Sequence, residues 1–294
     1  MRNVLSELIS LLSLERLEQN LFRGQSQDLG WGQIFGGQVL GQALSAASQT
    51  VPEGRRVHSL HGYFLRGGDA ARPVIYEVDP IRDGRSFTTR RVVAIQGGRA
   101  IFNMAASFQI DEDGFTHQAP MPSTAGPDGI PSELDLARKV ADRIPEPLRA
   151  RATADRPIEI RPLDPHNPFR PKPQSPRQQL WYRATGALPD DPTLHPFLLA
   201  YASDFQFLVT ALRPHGVSWL SRKMQVTSLD HAMYFHRPFR MDDWLLYDIE
   251  SPWAGGARGL VRGRFYDRDG NLVASTVQEG LIRDWRKRDG EEDT

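Results

Sequence analysis

Val226-Thr227-Ser228-Leu229-Asp230-His231-Ala232-Met233-Tyr234-Phe235 is the stretch on which the fold turns. Its β-branched and aromatic residues suit a long strand, predicted from Ser221 to Phe235. Three more strand-like segments follow: Asp243 to Ser251, Gly259 to Tyr266 and Asn271 to Arg283. The turn signal Asp267-Arg268-Asp269-Gly270 joins the last two into a hairpin. Upstream, His195-Pro196 leads into a predicted helix from Phe197 to Leu212, and Gln178 to Ala184 reads as the strand that begins the unit. Ser228 and Gln278 stand out in this block, because a purely structural sheet has no need of their polar side chains.

The first third of the chain runs in the same order. The glycine-rich turn Gly30-Trp31-Gly32-Gln33-Ile34-Phe35-Gly36-Gly37-Gln38 enters a helix predicted from Val39 to Val51. Strands are predicted at Val57 to Leu65, Pro73 to Arg82, Ser86 to Gln96 and Arg99 to Ile110, with turns at Gly67-Gly68, Asp83-Gly84 and Gly97-Gly98. Residues repeat as well as elements. Ser59-Leu60 matches Ser228-Leu229, Tyr63-Phe64 matches Tyr234-Phe235, and Tyr76-Glu77-Val78-Asp79 matches Tyr247-Asp248-Ile249-Glu250. The spacing from Tyr63 to Tyr76 equals that from Tyr234 to Tyr247, and Gln109 falls opposite Gln278. A helix followed by antiparallel strands, twice over, predicts an α+β protein in which each curved sheet wraps a central helix. The units are residues 1–110 and 177–294. Most of the 22 prolines fall in residues 111–196, so residues 111–176 read as a linker, a poor candidate for continuous sheet, with one helix from Ser132 to Ile144 capped by Ser132. Val4 to Leu14 predicts an amphipathic leading helix and Asn20 to Gln25 a first strand.

Composition removes several functions. Lys+Arg and Asp+Glu both number 36, so the net charge is zero and no broad attraction to nucleic acid or anionic lipid is expected. With no cysteine, disulfides, thiolate catalysis and sulfur-ligated zinc are excluded. Glu7 interrupts the apolar run at the N-terminus, which argues against a signal peptide, and the terminal Glu291-Glu292-Asp293-Thr294 resembles no lipid or peroxisomal signal. A soluble cytoplasmic protein is the expectation. There is no Gly-x-Ser-x-Gly elbow and no phosphate-binding Gly-x-x-x-x-Gly-Lys. Phe35 stands where a dinucleotide fingerprint beginning at Gly30 needs glycine.

Asp204 lies in Leu198-Leu199-Ala200-Tyr201-Ala202-Ser203-Asp204-Phe205-Gln206-Phe207-Leu208, among residues that belong in a core. Alone it reads as a helix cap or first-turn acid, Ser228 as a strand hydroxyl and Gln278 as an edge-strand amide. Together they supply a carboxylate, a hydroxyl and an amide, a set that can bind and polarise water. His58 begins a strand in the half without a matching carboxylate: setting Ala43-Leu44 against Ala211-Leu212 places Gly36 opposite Asp204. It reads as structural or substrate-proximal. Arg66, Arg85, Arg237 and Arg258 are candidate phosphate contacts, although solvated surface arginines are the commoner case.

The chain resembles the acyl-CoA thioesterase II family over nearly its whole length. The resemblance is carried by Ser203-Asp204-Phe205, by Ser228 to Phe239, by Trp244-Leu245-Leu246-Tyr247, Ala257-Arg258-Gly259 and Gly270 to Gly280. In the first half it is carried by Gly36-Gly37-Gln38, Val57 to Arg66 and Arg82 to Phe87. It implies a double hotdog fold, an acyl-CoA substrate and a catalytic set of Asp204, Ser228 and Gln278, with Ser228 where bacterial members are expected to carry Thr. It also suggests a homo-oligomer, dimer or tetramer, and no cofactor or metal is expected. On this reading Asp204 takes a proton from water held by Ser228 and Gln278, and N–H groups at Gly36-Gly37 or near Asp204 stabilise the oxyanion. The alternatives are a hotdog hydratase or dehydratase, which needs an Asp acting with a His, and a non-catalytic acyl-CoA binding protein.

Overall fold

The computed structural model describes residues 3–285, so the C-terminal Glu291 to Thr294 lies outside the described residues. Among the described residues thirteen strands form one continuous antiparallel sheet. The first half contributes β1 (Glu15–Glu18), β2 (Leu21–Gly24), β3 (Arg55–Phe64), β4 (Val74–Asp83), β5 (Phe87–Gln96) and β6 (Arg99–Ile110). The second contributes β7 (Ile158–Pro162), β8 (Arg177–Ala184), β9 (Met224–Ser228), β10 (Asp230–Phe235), β11 (Leu245–Gly255), β12 (Arg258–Tyr266) and β13 (Leu272–Asp284). Their spatial order is β1-β2-β4-β5-β6-β3-β10-β13-β12-β11-β8-β7, with β9 paired to β13 beside β10. The two halves of that order match strand for strand about the β3–β10 junction, which is the predicted duplication expressed as a double hotdog.

Register supports the same symmetry: with Tyr76 set on Tyr247, the pair Tyr76–Ala94 falls on Tyr247–Phe265 and Val78–Val92 falls on Ile249–Gly263. It keeps the Tyr63 and Tyr234 match but corrects two others. Arg90 pairs with Ala106 as Val261 pairs with Gln278, so Ala106, not Gln109, stands in the place of Gln278. Val57 pairs with Phe108 as Ser228 pairs with Gly280, so the counterpart of Ser228 is Val57 rather than Ser59. The register shifts between Val57 and Ser59 in β3–β6, between Ala94 and Ile95 in β5–β6 and between Phe265 and Tyr266 in β12–β13, and matching residues by sequence alone skipped over these bulges.

Two helices fill the inside of the sheet. α2 (Gly36–Ser48) carries no charge and is buried on nearly all sides, and α5 (Leu194–Ser203) runs against it. A Cβ on Gly37 would run into the Tyr201 carbonyl oxygen, and one on Gly41 would lie 3.0 Å from that of Phe197. Ascending α2 therefore means descending α5. The missing side chains let two antiparallel backbones touch, which sets the N-terminus of α2 beside the C-terminus of α5. The amphipathic α1 (Val4–Leu12) buries Leu5, Leu8 and Leu12 against this pair.

Several boundaries differ from expectation. α2 starts at Gly36, inside the glycine-rich turn. α5 stops at Ser203, because Gln206 adopts φ +59° and the remaining residues coil into 3₁₀ turns at Leu208–Ala211 and Arg213–His215. The strand predicted from Ser221 to Phe235 breaks at Leu229 into β9 and β10. There the Leu229 N–H donates to the Glu279 carbonyl and the Glu279 N–H donates to Asp230 Oδ1 at 2.6 Å.

The proline-rich interval does more than connect. It holds α3 (Glu133–Lys139), whose N-terminus has the Ser132–Asp135 capping box, α4 (Glu146–Ala152), and β7, which adds a strand beside β8. Its start lies across the outer face of the second half: Trp181 Nε1 donates to the Ala125 carbonyl at 2.9 Å and the Tyr266 hydroxyl to that of Pro120 at 3.2 Å. Met121 and Ile130 cover a small cluster of Trp181, Trp244, Leu246 and Tyr266. Among the described residues no helix is long and apolar enough to cross a membrane.

Candidate active site

Asp204 is the C-cap of α5. A carboxylate there faces the negative end of its own helix dipole, an unfavourable place for it. The antiparallel neighbour compensates: the Gly37 N–H, in the first turn of α2, donates to the Asp204 carboxylate. A Cβ on Gly36 would sit 2.7 Å from Asp204 Oδ2, so the glycine leaves room for the acid. Gly36 and Asp204 are thus neighbours at opposite ends of their helices, not counterparts in the duplication. The Gly37 N–H, one of the candidate donors to an oxyanion, is instead committed to the Asp204 carboxylate.

The structure brings all three expected residues together. Gln278 Nε2 donates to Asp204 Oδ1 at 2.9 Å and to Ser228 Oγ at 3.0 Å. Ser228 also hydrogen-bonds the carboxylate. β13 supplies the amide, β9 the hydroxyl and the end of α5 the acid, so the site exists only where sheet and helix meet. The Asp204 side chain is 8% exposed. Burial raises its pKa above the usual carboxylate value, while the hydrogen bonds from Gln278, Gly37 and Ser228 pull it back down. Among the described residues Gln278 Oε1 is buried with no partner, although its own amide nitrogen has three acceptors within reach.

The third neighbour of that nitrogen is His231, which the sequence reading passed over. Its Nδ1 lies 3.2 Å from Gln278 Nε2 and its Nε2 lies 3.0 Å from Ser203 Oγ. The alternation His231, Met233, Phe235 on β10 places it on the core face, where an imidazole needs two partners, and that was the available signal. Burial pushes its pKa down to about 3, so the ring is neutral.

Other candidates lie elsewhere. His58 Nε2 pairs with Ser107 Oγ at 2.8 Å and its ring meets Phe87 edge-on, within the first half. Arg66 donates to the Ala100 carbonyl, and Arg258 pairs with Glu279 at 3.0 Å.

Around the site, Phe35 stacks on Phe205 with centroids 4.3 Å apart and both rings meet Tyr201 edge-on. A carboxylate, hydroxyl and amide set between two helix ends and backed by aromatic rings can hold water against an acyl group.

Known proteins resemble this chain along both of its halves. Residues 26–109 match the model of the acyl-CoA thioesterase N-terminal domain and residues 147–281 that of acyl-CoA thioesterase. The chain is 46% identical to acyl-CoA thioesterase 2 of Haemophilus influenzae, over 96% of this chain and 99% of that one. It is 43% identical to acyl-coenzyme A thioesterase 8 of Homo sapiens, over 96% and 90%. Among solved structures, the acyl-CoA thioesterase II of Mycobacterium marinum superposes with TM-score 0.75 at 43% identity, over 94% of this chain and 98% of that one. A hot dog fold protein from Alicyclobacillus acidocaldarius, 20% identical with TM-score 0.75 over 94% and 98%, shares the fold. With both halves matched and identity sustained along the chain, the protein belongs to the acyl-CoA thioesterase II family of thioester hydrolases.

Proposed function

We propose that this protein hydrolyses fatty acyl-CoA to a free fatty acid and CoA with a water molecule activated between Asp204, Ser228 and Gln278. The observation that carries the reading is the direct contact of Gln278 Nε2 with both Asp204 Oδ1 and Ser228 Oγ. Strand pairing brings Ser228 and Gln278 together, whereas Asp204 reaches them from the end of a helix, which the sheet itself does not require. Asp204, ionised, accepts a proton as the water oxygen bonds to the thioester carbonyl carbon. The tetrahedral intermediate then collapses, the C–S bond breaks, and the departing CoA thiolate takes the proton that Asp204 holds. Gln278 Oε1, still in need of a donor, is suited to accept the second water hydrogen. Water is the nucleophile throughout, so no covalent enzyme intermediate forms, as suits a chain with no cysteine.

A thiol-release assay across acyl lengths tests this. Asp204→Asn is expected to fold and to lose hydrolysis by about 10²–10⁴-fold, the usual weight of a general base. Near-normal turnover in the folded variant would remove Asp204 from the mechanism. Hydration of an enoyl-CoA without thiol release would favour the hydratase alternative, and saturable binding without turnover the binding protein. A cytoplasmic setting and a homo-oligomer of two or four chains belong to the same proposal; sedimentation equilibrium against the 33.2 kDa chain mass checks the second.

A further inference from the structure

The Gln278 amide can be placed two ways, with nitrogen or oxygen toward Asp204, and only one serves the reaction. While Asp204 is ionised it accepts hydrogen bonds only, so Nε2 must face it. His231 Nδ1 is then 3.2 Å from an NH₂ group, so it has to be the bare nitrogen, sharing the group's two hydrogens with Asp204 Oδ1 and Ser228 Oγ. Its proton sits on Nε2, which donates to Ser203 Oγ at 3.0 Å, and that hydroxyl passes its own hydrogen to the Ala200 carbonyl at 3.0 Å. The chain of donors ends in the backbone of α5, four residues from Asp204, and every member is consistent with a single polarity.

We propose that His231 is a positioning residue whose Nδ1 lone pair holds the Gln278 amide with its nitrogen toward Asp204 and Ser228 throughout the catalytic cycle. The need for it arises midway. Once Asp204 has taken the water's proton it can donate, and it no longer forbids the flipped amide. A flip at that moment would present Nε2 where Oε1 should be and leave the site wrong for the next water. His231 still forbids the flip, because Oε1 would then face the Nδ1 lone pair. The ring is 0% exposed and packs on Phe207, burial keeps it neutral, and Ser203 Oγ, whose own hydrogen goes to the Ala200 carbonyl, holds the ring proton on Nε2.

This rests on the hydrolytic reading of Asp204, Ser228 and Gln278, and the test keeps the two apart. The first measurement is ¹⁵N NMR of histidine-labelled protein, with the His231 resonances assigned by their change in Ser203→Ala. A neutral ring protonated on Nε2 is expected; a ring protonated on Nδ1 overturns the proposal whatever the activity. The second compares His231→Asn, whose amide oxygen reaches the position of Nδ1, with His231→Gln, whose amide reaches that of Nε2. In variants with native circular dichroism, His231→Asn is expected to keep kcat within about threefold. His231→Gln is expected to lose about tenfold, equivalent to about 1.4 kcal/mol, with little change in KM. Equal kcat values for the two, beside an inactive Asp204→Asn, overturn the role of His231 and leave the hydrolytic site intact. An active Asp204→Asn marks failure of the hydrolytic reading instead.

Discussion

Asp204 carries two opposed demands, and its surroundings settle them by degrees. Burial raises its pKa, and three hydrogen bonds, from Gln278, the Gly37 N–H and Ser228, offset part of the rise. The native state therefore binds the proton more tightly than the unfolded chain does. That contribution favours the fold most at low pH and is lost as pH rises through the native pKa. At neutral pH the ionised acid is kept against stability, so Asp204→Asn, which retains an acceptor for Gln278, should fold at least as well as the parent. The same balance fixes the pH profile. The rate should fall with decreasing pH through a pKa above the ordinary aspartate value. Ser228→Ala and Gln278→Ala each remove a hydrogen bond to the anion, so in their residual activity the acid limb should move to higher pH. Profiles of kcat/KM for the three proteins check this; a limb that stays put or moves to lower pH contradicts it.

At the scale of elements, the helix pair does most of the arranging. Gly36 and Gly37 are adjacent yet face different constraints. A Cβ on Gly36 meets the Asp204 carboxylate and the Phe64 ring edge, both side chains, whereas one on Gly37 meets the α5 backbone and the Phe35 ring. Gly36→Ala should therefore push the Asp204 carboxylate aside and lower kcat with a small change in Tm. Gly37→Ala should force the helices apart and cost about 1–3 kcal/mol, as overpacking does. Thermal melts beside thiol-release rates separate the two, and equal effects on both readouts would refute the distinction. What the sequence could and could not reveal follows the same division. Alternating strands, hairpin turns and an uncharged small-residue helix were legible because each is a local pattern. The end of α5 was not: Ser203 to Leu212 is apolar enough to continue a helix, and only the packed turn at Gln206, whose carbonyl accepts from Gln178 Nε2 at 2.7 Å, shows where it stops. Ser228, Asp204 and Gln278 could be found as polar residues in apolar settings. His231 escaped because its role depends on partners from α5 and β13 that no local pattern connects to it.

The duplication leaves the whole molecule with two places of equal topology and one of them altered. Ala106, Val57 and Leu60 stand where the second half has Gln278, Ser228 and His231, and beyond the end of α2 come Gln49 and Thr50 where α5 is followed by Asp204. Amide, hydroxyl, imidazole and acid are all gone. Arg90, the counterpart of Val261, fills the space: its guanidinium is 2% exposed and donates to Thr50 Oγ1 at 2.9 Å, to the Thr50 carbonyl at 2.8 Å and to Asp83 Oδ1 at 2.8 Å. These bonds close off the end of α2 much as a bound ligand would. The first half thus contributes the α2 N-terminus that holds Asp204 and carries none of the four side chains that meet in the second half. One productive site per chain follows, and titration with a non-hydrolysable thioether analogue of acyl-CoA should give a stoichiometry of about one, as expected for a site built on a single carboxylate. Arg90→Met should lower stability by about 2 kcal/mol, the worth of charged hydrogen bonds lost from a buried place, while kcat per chain stays at the parent value. Two analogues bound per chain, or a fall in kcat in folded Arg90→Met, would mean that the first half still takes part in turnover as a site of its own.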